Sequence, residues 1–517
     1  MKKGICIIAL IGCAFSLSAQ SYTFPKSAKE DKDQIMSEAY WKIWNPKVQK
    51  QIDQDIEKYR KANGVLYLEN AVAGTKVQVK QVSHDFIFGA SMFNFNQLGS
   101  AAANQRYKEL FGTLFNRATV PLYWEPFEMQ PNRPRFREEY WDTESYWNRQ
   151  NDPKHQPHWR RPAPDPCVEY CVSHGVQVHG HPLIWGSRRW HHPNWIVDQL
   201  LTPEERETLK KYVAEYADEK NFANEDKMTP AFQQATLEEL EAQLPMLGQK
   251  LKALFEKRME EIIKYYGDQV NSWDVVNESA QDYAKGAMVP GSSLCKSNYG
   301  FMPGDFTFEA FKTAERLMSD RTLKNINDYW TGPEYAEQVK DLMKRGAKID
   351  VVGSQMHLFD PQQCLDIAAG KEIQTPNQIW RLMNGLAETG LPIHLSEITI
   401  TSPGQGEKAE QIQAVIAQNL YRLWFSCKAM MGVTWWNLVD DCGAPGEPTI
   451  SGLFHRDMSP KLSYYALEHL INHEWKTEET VKVGSQGEVK FRGFRGNYEV
   501  TYTDKEGQTQ TVTYHLR

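Results

Sequence analysis

Two segments that are expected to be buried strands each carry a glutamate at or near their C-terminal end. Residues 271–278 end in Glu278, and residues 393–398 contain Glu397. Hydrolysis of an acetal needs one carboxyl group that protonates the departing oxygen and a second that stabilises or attacks the anomeric carbon. In an enzyme that retains the anomeric configuration, the two groups lie about 5–5.5 Å apart. A single glutamate at a strand end is more often an ion-pair or helix-cap partner, and that interpretation stays open for each residue taken alone.

The two glutamates lie in a chain of alternating strand and helix patterns. Eight short apolar segments, rich in β-branched and aromatic residues, alternate with segments of helical periodicity, which predicts an α/β fold, a (β/α)8 TIM barrel, rather than a doubly wound sheet. Several segments are unbroken hydrophobic runs, as expected for parallel strands buried on both faces. Catalytic residues of such barrels lie at the C-terminal ends of strands, and by count Glu278 belongs to strand four and Glu397 to strand seven. The predicted strands are Asp85–Gly89, Ala118–Trp124, Val176–Trp185, Val270–Glu278, Leu323–Tyr329, Ile349–Leu358, Ile393–Ile400 and Val433–Asp440.

Four regions are predicted along the chain. Residues 1–19 have the layout of a secretory signal peptide, with two lysines before a short apolar run and small residues at the cleavage position. Residues 20–75 form a helical lead-in, and residues 76–473 form the catalytic barrel. Residues 474–517 alternate like short antiparallel strands and form a small β appendage. Long barrel loops, which would shape a cleft, are predicted at 125–165 and 201–248.

The leader allows two locations. A secreted or periplasmic protein is the first expectation, because the apolar run is shorter than the about 20 residues that a membrane span needs. Cys13 ends a Leu-Ile-Gly-Cys segment that is similar to a lipoprotein-processing box, so a lipid-anchored surface form is the alternative. No later segment is long and apolar enough to span a bilayer.

The composition excludes several function classes. The chain has 517 residues and a net charge of −7, which argues against a protein that coats nucleic acid or an anionic membrane. The 16 tryptophans suit cores and interfaces, and also the apolar face of a sugar ring. The six cysteines beyond the leader show no zinc-type spacing and are interpreted as buried thiols. With no His/Asp cluster at one strand end and no Gly-rich phosphate loop, neither a metal nor a cofactor is predicted.

Several motifs, taken in order, resemble those of glycoside hydrolase family 10, the endo-1,4-β-xylanase family. Residues 273–278 (WDVVNE) are similar to the acid/base signature, and residues 179–185 (HGHPLIW) to the motif of strand three. Residues 355–357 match the Gln-x-His of strand six, and residues 396–398 resemble the nucleophile strand. Residues 432–440 resemble strand eight. Each motif alone is moderately specific, whereas the ordered set is strong.

The resemblance implies a role for each matching residue. Glu278 would be the general acid and then the general base, and Glu397 the nucleophile. Asn277 would hydrogen-bond the sugar 2-hydroxyl, His357 would orient Glu397, and three further residues would line the sugar next to the scissile bond while a tryptophan stacks on it. The substrate-binding residues implied are therefore Asn277, His181, Trp185, Gln355, His357 and Trp436. Trp185 could instead serve barrel packing alone.

The sequence also departs from the family pattern. His179 stands where an arginine is usual, Gly186 where a histidine is common, and Thr399 where an aspartate usually follows the nucleophile. The Glu-Asn pair and the lysine that grip the glycone after strand two are absent, and so is the second tryptophan expected after Asp440. Asp274, four residues before the acid, is interpreted either as a site residue or as a buried structural partner. The chemistry therefore looks intact, while recognition of the glycone looks rebuilt.

These observations predict a secreted, retaining, endo-acting β-glycanase whose partner is a polysaccharide or oligosaccharide. β-1,4-Xylan is the first substrate expected, and a decorated xylan or another β-linked glycan is the alternative within the same enzyme type. A non-catalytic glycan-binding protein on this scaffold is the alternative from another class. The sequence leaves the side-chain tolerance, endo or exo action and the oligomeric state open.

Overall fold

The computed structural model describes residues 22–187, 190–193, 195–213 and 229–517. The predicted signal peptide and Cys13 lie outside the described residues, as does part of the second predicted loop. Among the helices of the described part, none is long and apolar enough to cross a membrane. The six cysteines beyond the leader are buried and free of disulfides.

Eight parallel strands form a closed barrel, which confirms the predicted (β/α)8 fold. Each strand pairs with the next along the chain, and the eighth pairs with the first. All eight overlap the strands predicted from the sequence. They are called barrel strands one to eight and are, in order, Ile87–Ser91, Arg117–Pro121, Gln177–His181, Ser272–Asn277, Leu323–Asp328, Val351–Leu358, Ile393–Ile400 and Met430–Trp435.

The barrel strands are enclosed by helices on the outside and filled by side chains on the inside. Strands two, four and seven are buried along their whole length, as expected for parallel strands covered on both faces. Strand three continues after a short gap into Ile184–Trp185, which pairs with strand four. That extension carries Trp185 to the C-terminal mouth of the barrel.

Helices follow every barrel strand. They begin with side-chain caps at several positions, such as Ser100, Thr375 and Asp360, whose oxygens accept backbone N–H groups of the first turn. The α-helices between strands are Ala101–Leu114, Trp124–Phe127, Glu144–Trp147, Pro164–Ser173, Trp195–Leu200, Pro203–Leu209, Pro230–Gln234, Leu237–Gln243, Leu247–Tyr266, Ala280–Ala284, Phe306–Leu317, Pro333–Lys344, Pro361–Ala368, Pro376–Ala387 and Glu407–Ser426, and Leu462–His469 follows strand eight. Two more, Glu38–Ile43 and Pro46–Arg60, precede the barrel.

The connection after barrel strand two is held by a buried ion pair. Arg135 pairs with Asp142, and both side chains are almost fully buried. The same guanidinium donates to the carbonyl oxygen of Arg161 at 2.8 Å. Trp147 is buried beneath the connection. These contacts fix the end of the connection, around Arg160 and Arg161, beside the barrel mouth.

A small β unit lies next to the N-terminal end of the barrel and combines strands from both ends of the chain. Its core contains Val79, Phe491, Tyr498 and Val500. It consists of a four-stranded antiparallel sheet in the order Glu478–Lys482, Lys76–His84, Gly496–Thr503 and Thr509–Leu516, and of a two-stranded sheet of Lys61–Tyr67 and Glu488–Phe494. A short hairpin of Leu294–Ser297 and Gly300–Pro303 forms a separate sheet after barrel strand four.

The β unit begins earlier in the chain than the sequence prediction has it. The prediction places residues 20–75 in a helical lead-in and starts the barrel at residue 76, whereas residues 61–84 supply two strands of this unit. The signal is the alternation in residues 76–82, where Val77 and Val79 are buried and their neighbours are exposed. A period of two is typical of a strand with one buried face.

The Val79→Asp variant is expected to lose at least about 3 kcal/mol of unfolding free energy, because it buries an unpaired carboxylate in the core of the β unit. Val82→Asp is the matched control, since Val82 lies on the same strand and is 50% exposed whereas Val79 is 0% exposed. Urea denaturation of both variants measures the difference. Equal loss of stability in the two variants would contradict this account of the strand.

Candidate active site

One cavity of about 620 Å³ opens at the C-terminal ends of the barrel strands. Barrel strands, the extension of strand three and the connection after strand two all contribute to its walls. The structure brings every site residue predicted from the sequence to this cavity. They are Glu278, Glu397, Asn277, His181, Trp185, Gln355, His357 and Trp436.

Glu278 directly follows barrel strand four in a left-handed backbone conformation, with a φ of +58°. A residue with a β-carbon is destabilised there by about 1–2 kcal/mol. The conformation is held by the backbone N–H of Glu278, which donates to the carbonyl oxygen of Asn327 at 2.7 Å. Neighbouring strand five thus fixes the turn from which the Glu278 side chain reaches the cavity.

The Glu278 carboxyl group accepts three hydrogen bonds. Its Oε2 accepts from the Trp185 indole N–H at 2.9 Å and from the Tyr299 hydroxyl at 2.8 Å, and its Oε1 accepts from the Gln355 amide at 3.1 Å. Burial and the negative charge of Glu397 raise the pKa of Glu278, while these donors oppose the rise without cancelling it. A carboxyl group with a raised pKa keeps a proton that it can donate.

Glu397 lies in barrel strand seven and is 4% exposed. Its Oε1 accepts from the Asn327 amide at 2.8 Å, and its Oε2 lies 3.4 Å from Nε2 of His357. Nε2 of His181 is 3.8 Å from Oε1. The Ser396 hydroxyl donates to the Asn327 amide oxygen at 2.5 Å and so turns the NH₂ group of that amide toward Glu397. Asn327 therefore holds the Glu397 carboxylate by a direct hydrogen bond, with the imidazoles of His357 and His181 beside it.

Three amide side chains link the two carboxylates. The Asn277 amide oxygen accepts from the Asn327 amide at 2.8 Å and from the Gln355 amide at 3.5 Å. Asn327 also donates to Glu397, and Gln355 also donates to Glu278. Because each amide binds one carboxylate and the shared oxygen of Asn277, the three residues fix the two carboxylates relative to each other.

Asp274 is a buried partner of two histidines, which is one of the two interpretations left open by the sequence. Its Oδ2 lies 2.9 Å from Nε2 of His179 and 2.7 Å from Nδ1 of His181. Burial alone would raise the pKa of Asp274, but the two histidines outweigh it and lower that pKa. Burial alone would lower the pKa of His181, but Asp274 and Glu397 outweigh it and raise that pKa. The raised pKa favours the protonated, positively charged form of His181, whose Nε2 faces Glu397. His179 occupies the position where the family pattern usually has an arginine.

His357 contacts Glu397 on one side and Thr399 on the other. Its Nδ1 lies 2.9 Å from the Thr399 hydroxyl oxygen, and its ring stacks on Phe359 with centroids 4.4 Å apart. Thr399 stands where an aspartate is usual. A hydroxyl group either donates or accepts, so it orients the ring without supplying the negative charge of an aspartate.

An aromatic wall borders the cavity on the side of barrel strands one, two and eight. The Trp436 ring lies 4.6 Å from Phe93 and 5.4 Å from His181, between ring centroids. The Tyr123 ring lies 5.9 Å from that of Trp185. Flat apolar surfaces of this kind suit the apolar face of a sugar. Trp185 therefore combines packing with its hydrogen bond to Glu278.

Gly186 is explained by the neighbouring hairpin. A β-carbon at Gly186 would lie 2.7 Å from Cδ2 of Tyr299, closer than side-chain carbons approach. Because Gly186 has no side chain, the Tyr299 ring occupies this space, and the Tyr299 hydroxyl donates a hydrogen bond to Glu278. Gly186, which departs from the family motif, thus makes space for Tyr299 from the hairpin turn.

Sequence reasoning missed three residues that contact the central groups. Asn327 ends the hydrophobic part of strand five and could have been found by the strand-end rule that singled out Glu278. Tyr299 lies in the hairpin turn and Tyr123 just after strand two, and neither carries a local signal, because their contacts with the site depend on the tertiary fold.

The fold and the site define a class: a (β/α)8 barrel with a pair of carboxylates at the mouth, of the kind that hydrolyses glycosidic bonds. The model of Glycosyl hydrolase family 10 matches residues 229–470. This match supports the resemblance of the chain to glycoside hydrolase family 10.

Two curated relatives illustrate the similarity. The chain is 24% identical over 267 residues to endo-1,4-β-xylanase A of Halalkalibacterium halodurans, covering 50% of this chain and 55% of the relative. It is 24% identical over 429 residues to endo-1,4-β-xylanase C of Paenibacillus barcinonensis, covering 77% of this chain and 32% of the relative. The chain thus spans about half of the first relative and a third of the second.

A solved structure shows the same fold. Native xylanase 10B of Thermotoga maritima superposes with a TM-score of 0.51 at 18% identity, covering 75% of this chain and 96% of that chain. At this identity the similarity concerns the fold alone.

Tyr299→Phe is expected to raise the pKa of Glu278 further, because the variant removes a donor that stabilises the ionised form. If Glu278 acts as an acid, the alkaline limb of the pH profile of kcat/KM moves to higher pH, since the proton is retained longer. Tyr140→Phe, at a tyrosine that is 67% exposed, is the control. An alkaline limb that stays in place or moves to lower pH would contradict the assigned hydrogen bond.

Proposed function

We propose that this chain is a retaining β-glycanase that cleaves its substrate by double displacement, with Glu278 as the acid/base and Glu397 as the nucleophile. The observation that carries the proposal is the amide link between two carboxylates whose environments differ. Glu278 has a raised pKa, while Glu397 is held by a direct hydrogen bond from Asn327. Such a difference separates a proton donor from a nucleophile.

In the first step, Glu397 attacks the anomeric carbon while Glu278 transfers its proton to the departing glycosidic oxygen. The C–O bond to the leaving sugar breaks, and an ester bond between Glu397 and the retained sugar forms. The hydrogen bond from Asn327 and the nearby imidazoles of His357 and His181 hold the Glu397 carboxylate in position before the attack. The Asn277 amide oxygen is occupied by two donors, so its NH₂ group is the part that faces a sugar hydroxyl.

In the second step, Glu278 is ionised and accepts a proton from an incoming water, whose oxygen attacks the anomeric carbon and releases Glu397. The first step leaves Glu278 ionised. Burial still raises the pKa of Glu278, but neutralisation of Glu397 in the ester removes the second cause of the rise, the negative charge of Glu397. The same group is therefore suited to act first as an acid and then as a base.

β-1,4-Xylan is the first substrate that we propose, with internal, endo-type cleavage, because the relatives of this chain are named endo-1,4-β-xylanases. A decorated xylan or another β-linked glycan is the second candidate. It is favoured by the absence of the Glu-Asn pair and lysine after strand two, where the structure has Tyr123 and an aromatic wall. A non-catalytic glycan-binding protein is disfavoured, because binding requires neither a proton donor nor a nucleophile.

We also propose that the protein acts outside the cytoplasm, on account of the leader pattern in residues 1–19. Mass spectrometry of the mature protein tests this. A mature N-terminus at Gln20 supports free export, whereas a lipid-modified N-terminus at Cys13 supports a surface anchor.

Glu278→Ala is expected to lower kcat/KM on polysaccharide about 10²–10⁴-fold, because the leaving group no longer receives a proton. Aryl glycosides with good leaving groups should lose much less in the first step, and azide should restore turnover by replacing water as the nucleophile. Glu337→Ala, at an exposed helical glutamate, is the control. Equal loss for good and poor leaving groups would count against the acid role.

Glu397→Ala is expected to lower turnover more than about 10⁴-fold, because no covalent intermediate forms. ¹H NMR of the wild-type reaction should show the β-anomer as the first product. The control is Glu388→Ala, whose side chain is 70% exposed. A first product with the α-configuration, or substantial turnover by Glu397→Ala, would reassign the nucleophile.

A further inference from the structure

Two consecutive arginines from the end of the long connection line the same cavity as the paired carboxylates. Arg160 is buried and has a left-handed backbone, with a φ of +62°. Arg161 is partly exposed, and its carbonyl oxygen is held by the buried Arg135. The two guanidinium groups are therefore built into the cavity wall and do not belong to a free surface loop.

The charge of Arg160 is balanced within the protein. Its Nη2 lies 3.4 Å from the Glu447 carboxylate and donates to the Asn437 amide oxygen at 2.7 Å. Burial alone would raise the pKa of Glu447, but Arg160 outweighs it and lowers that pKa. Glu447 is further held by the backbone N–H of Ala444 at 2.8 Å. Arg160 and Glu447 thus form an ion pair within the protein.

The charge of Arg161 is not balanced in the same way. Among the described residues, no carboxylate forms an ion pair with it, and its one side-chain hydrogen bond donates to the carbonyl oxygen of Arg160 at 3.0 Å. Its guanidinium lies 3.7 Å from the centroid of the Tyr123 ring and 5.0 Å from that of Phe93. A guanidinium stacked on an aromatic ring keeps its edge donors available in a fixed plane, which suits two-pronged binding of an oxyanion.

Arg161 lies on the side of the cavity that would hold the retained sugar. The Tyr123 ring on which it stacks is 5.5 Å from the ring of His181, which in turn faces Glu397. Tyr123 follows barrel strand two, where the residues that grip the glycone lie in the family pattern. Arg161 is thus separated from the nucleophile by the rings of Tyr123 and His181, a spacing that suits a substituent or a neighbouring unit of the bound sugar.

We propose that Arg161 binds an oxyanion carried by the glycone part of the substrate, a sugar carboxylate or a sugar sulfate ester. This inference rests on the proposed function and names its substrate class: an anionic β-linked glycan. Arg161 is a specificity-determining residue here, and Tyr123 positions it. The Arg161 guanidinium, stacked on the aromatic wall, takes the place of the Glu-Asn pair and the lysine that are absent after strand two.

The test compares charged polymers with their neutralised forms. Glucuronoxylan is compared with the same polymer after chemical reduction of its carboxyl groups, and a sulfated β-galactan is compared with its desulfated form. Wild type is expected to show a kcat/KM on one charged polymer that exceeds that on its neutral form by about 10-fold or more, as for a hydrogen bond to a charged group. The uronate pair and the sulfate pair distinguish the two oxyanions.

Arg161→Gln is expected to bring the ratio of charged to neutral kcat/KM close to one, and Arg161→Lys to keep part of the preference. Arg133→Gln is the matched control, since Arg133 lies in the same connection, is 57% exposed and does not line the cavity. Thermal denaturation checks that each variant folds. The comparison of charged and neutral polymers with the wild-type protein needs no variant, so it tests the oxyanion site even if Arg161→Gln does not fold.

The outcomes separate this inference from the proposed function. Hydrolysis of neutral and charged polymers at equal kcat/KM, or a preference that survives in Arg161→Gln, overturns the oxyanion site and leaves the hydrolase intact. Calorimetry measures binding of a charged polymer to the Glu397→Ala variant and to the double variant that also carries Arg161→Gln. Binding that is lost in the double variant supports the oxyanion site, even if wild type hydrolyses no glycan. A lack of glycan hydrolysis by wild type would overturn the proposed hydrolase and leave the oxyanion site standing.

Discussion

The structure of the mouth depends on one shared hydrogen-bond acceptor, the amide oxygen of Asn277. Two amides converge on it, and each of them also holds one of the two glutamates. Barrel strands four, five, six and seven each contribute one part of this arrangement, so the closure of the barrel sets its dimensions. The same contacts keep two acidic groups close together, and that proximity raises the pKa of Glu278.

Around this centre, the chain has other residues than those common in glycoside hydrolase family 10, while contacts to the two glutamates are kept. Tyr299 fills the space left by Gly186 and bonds to Glu278. Thr399 contacts His357 where an aspartate is usual. The substitutions therefore change the electrostatic surroundings of the two glutamates, and further departures lie beside barrel strand two, where aromatic rings and arginines form the cavity wall.

Much of the fold could be predicted from local pattern. The eight barrel strands are recognisable because short segments rich in β-branched and aromatic residues alternate with helical patterns, and several of them carry apolar runs. Glu278 and Glu397 stand out because each is a charged residue at or near the end of such a segment. Val77 and Val79 carried a strand signal, but their partners are at the other end of the chain, so the β unit could not be assembled from sequence spacing. Tyr299 and Arg161 reach the cavity through a hairpin and a long connection, whose paths no periodicity describes.

The β unit has a consequence for how the protein is made. Its central strand, Lys76–His84, emerges from the ribosome early, whereas the strands that flank it, Glu478–Lys482 and Gly496–Thr503, are synthesised last. Until those strands are made, the backbone donors and acceptors of Lys76–His84 lack their strand partners, and the side chains of Val77 and Val79 are not buried by them. Through most of its synthesis the chain therefore carries a strand with two unpaired edges and exposed valines, a feature that favours association with other chains until the C-terminal strands pair with it.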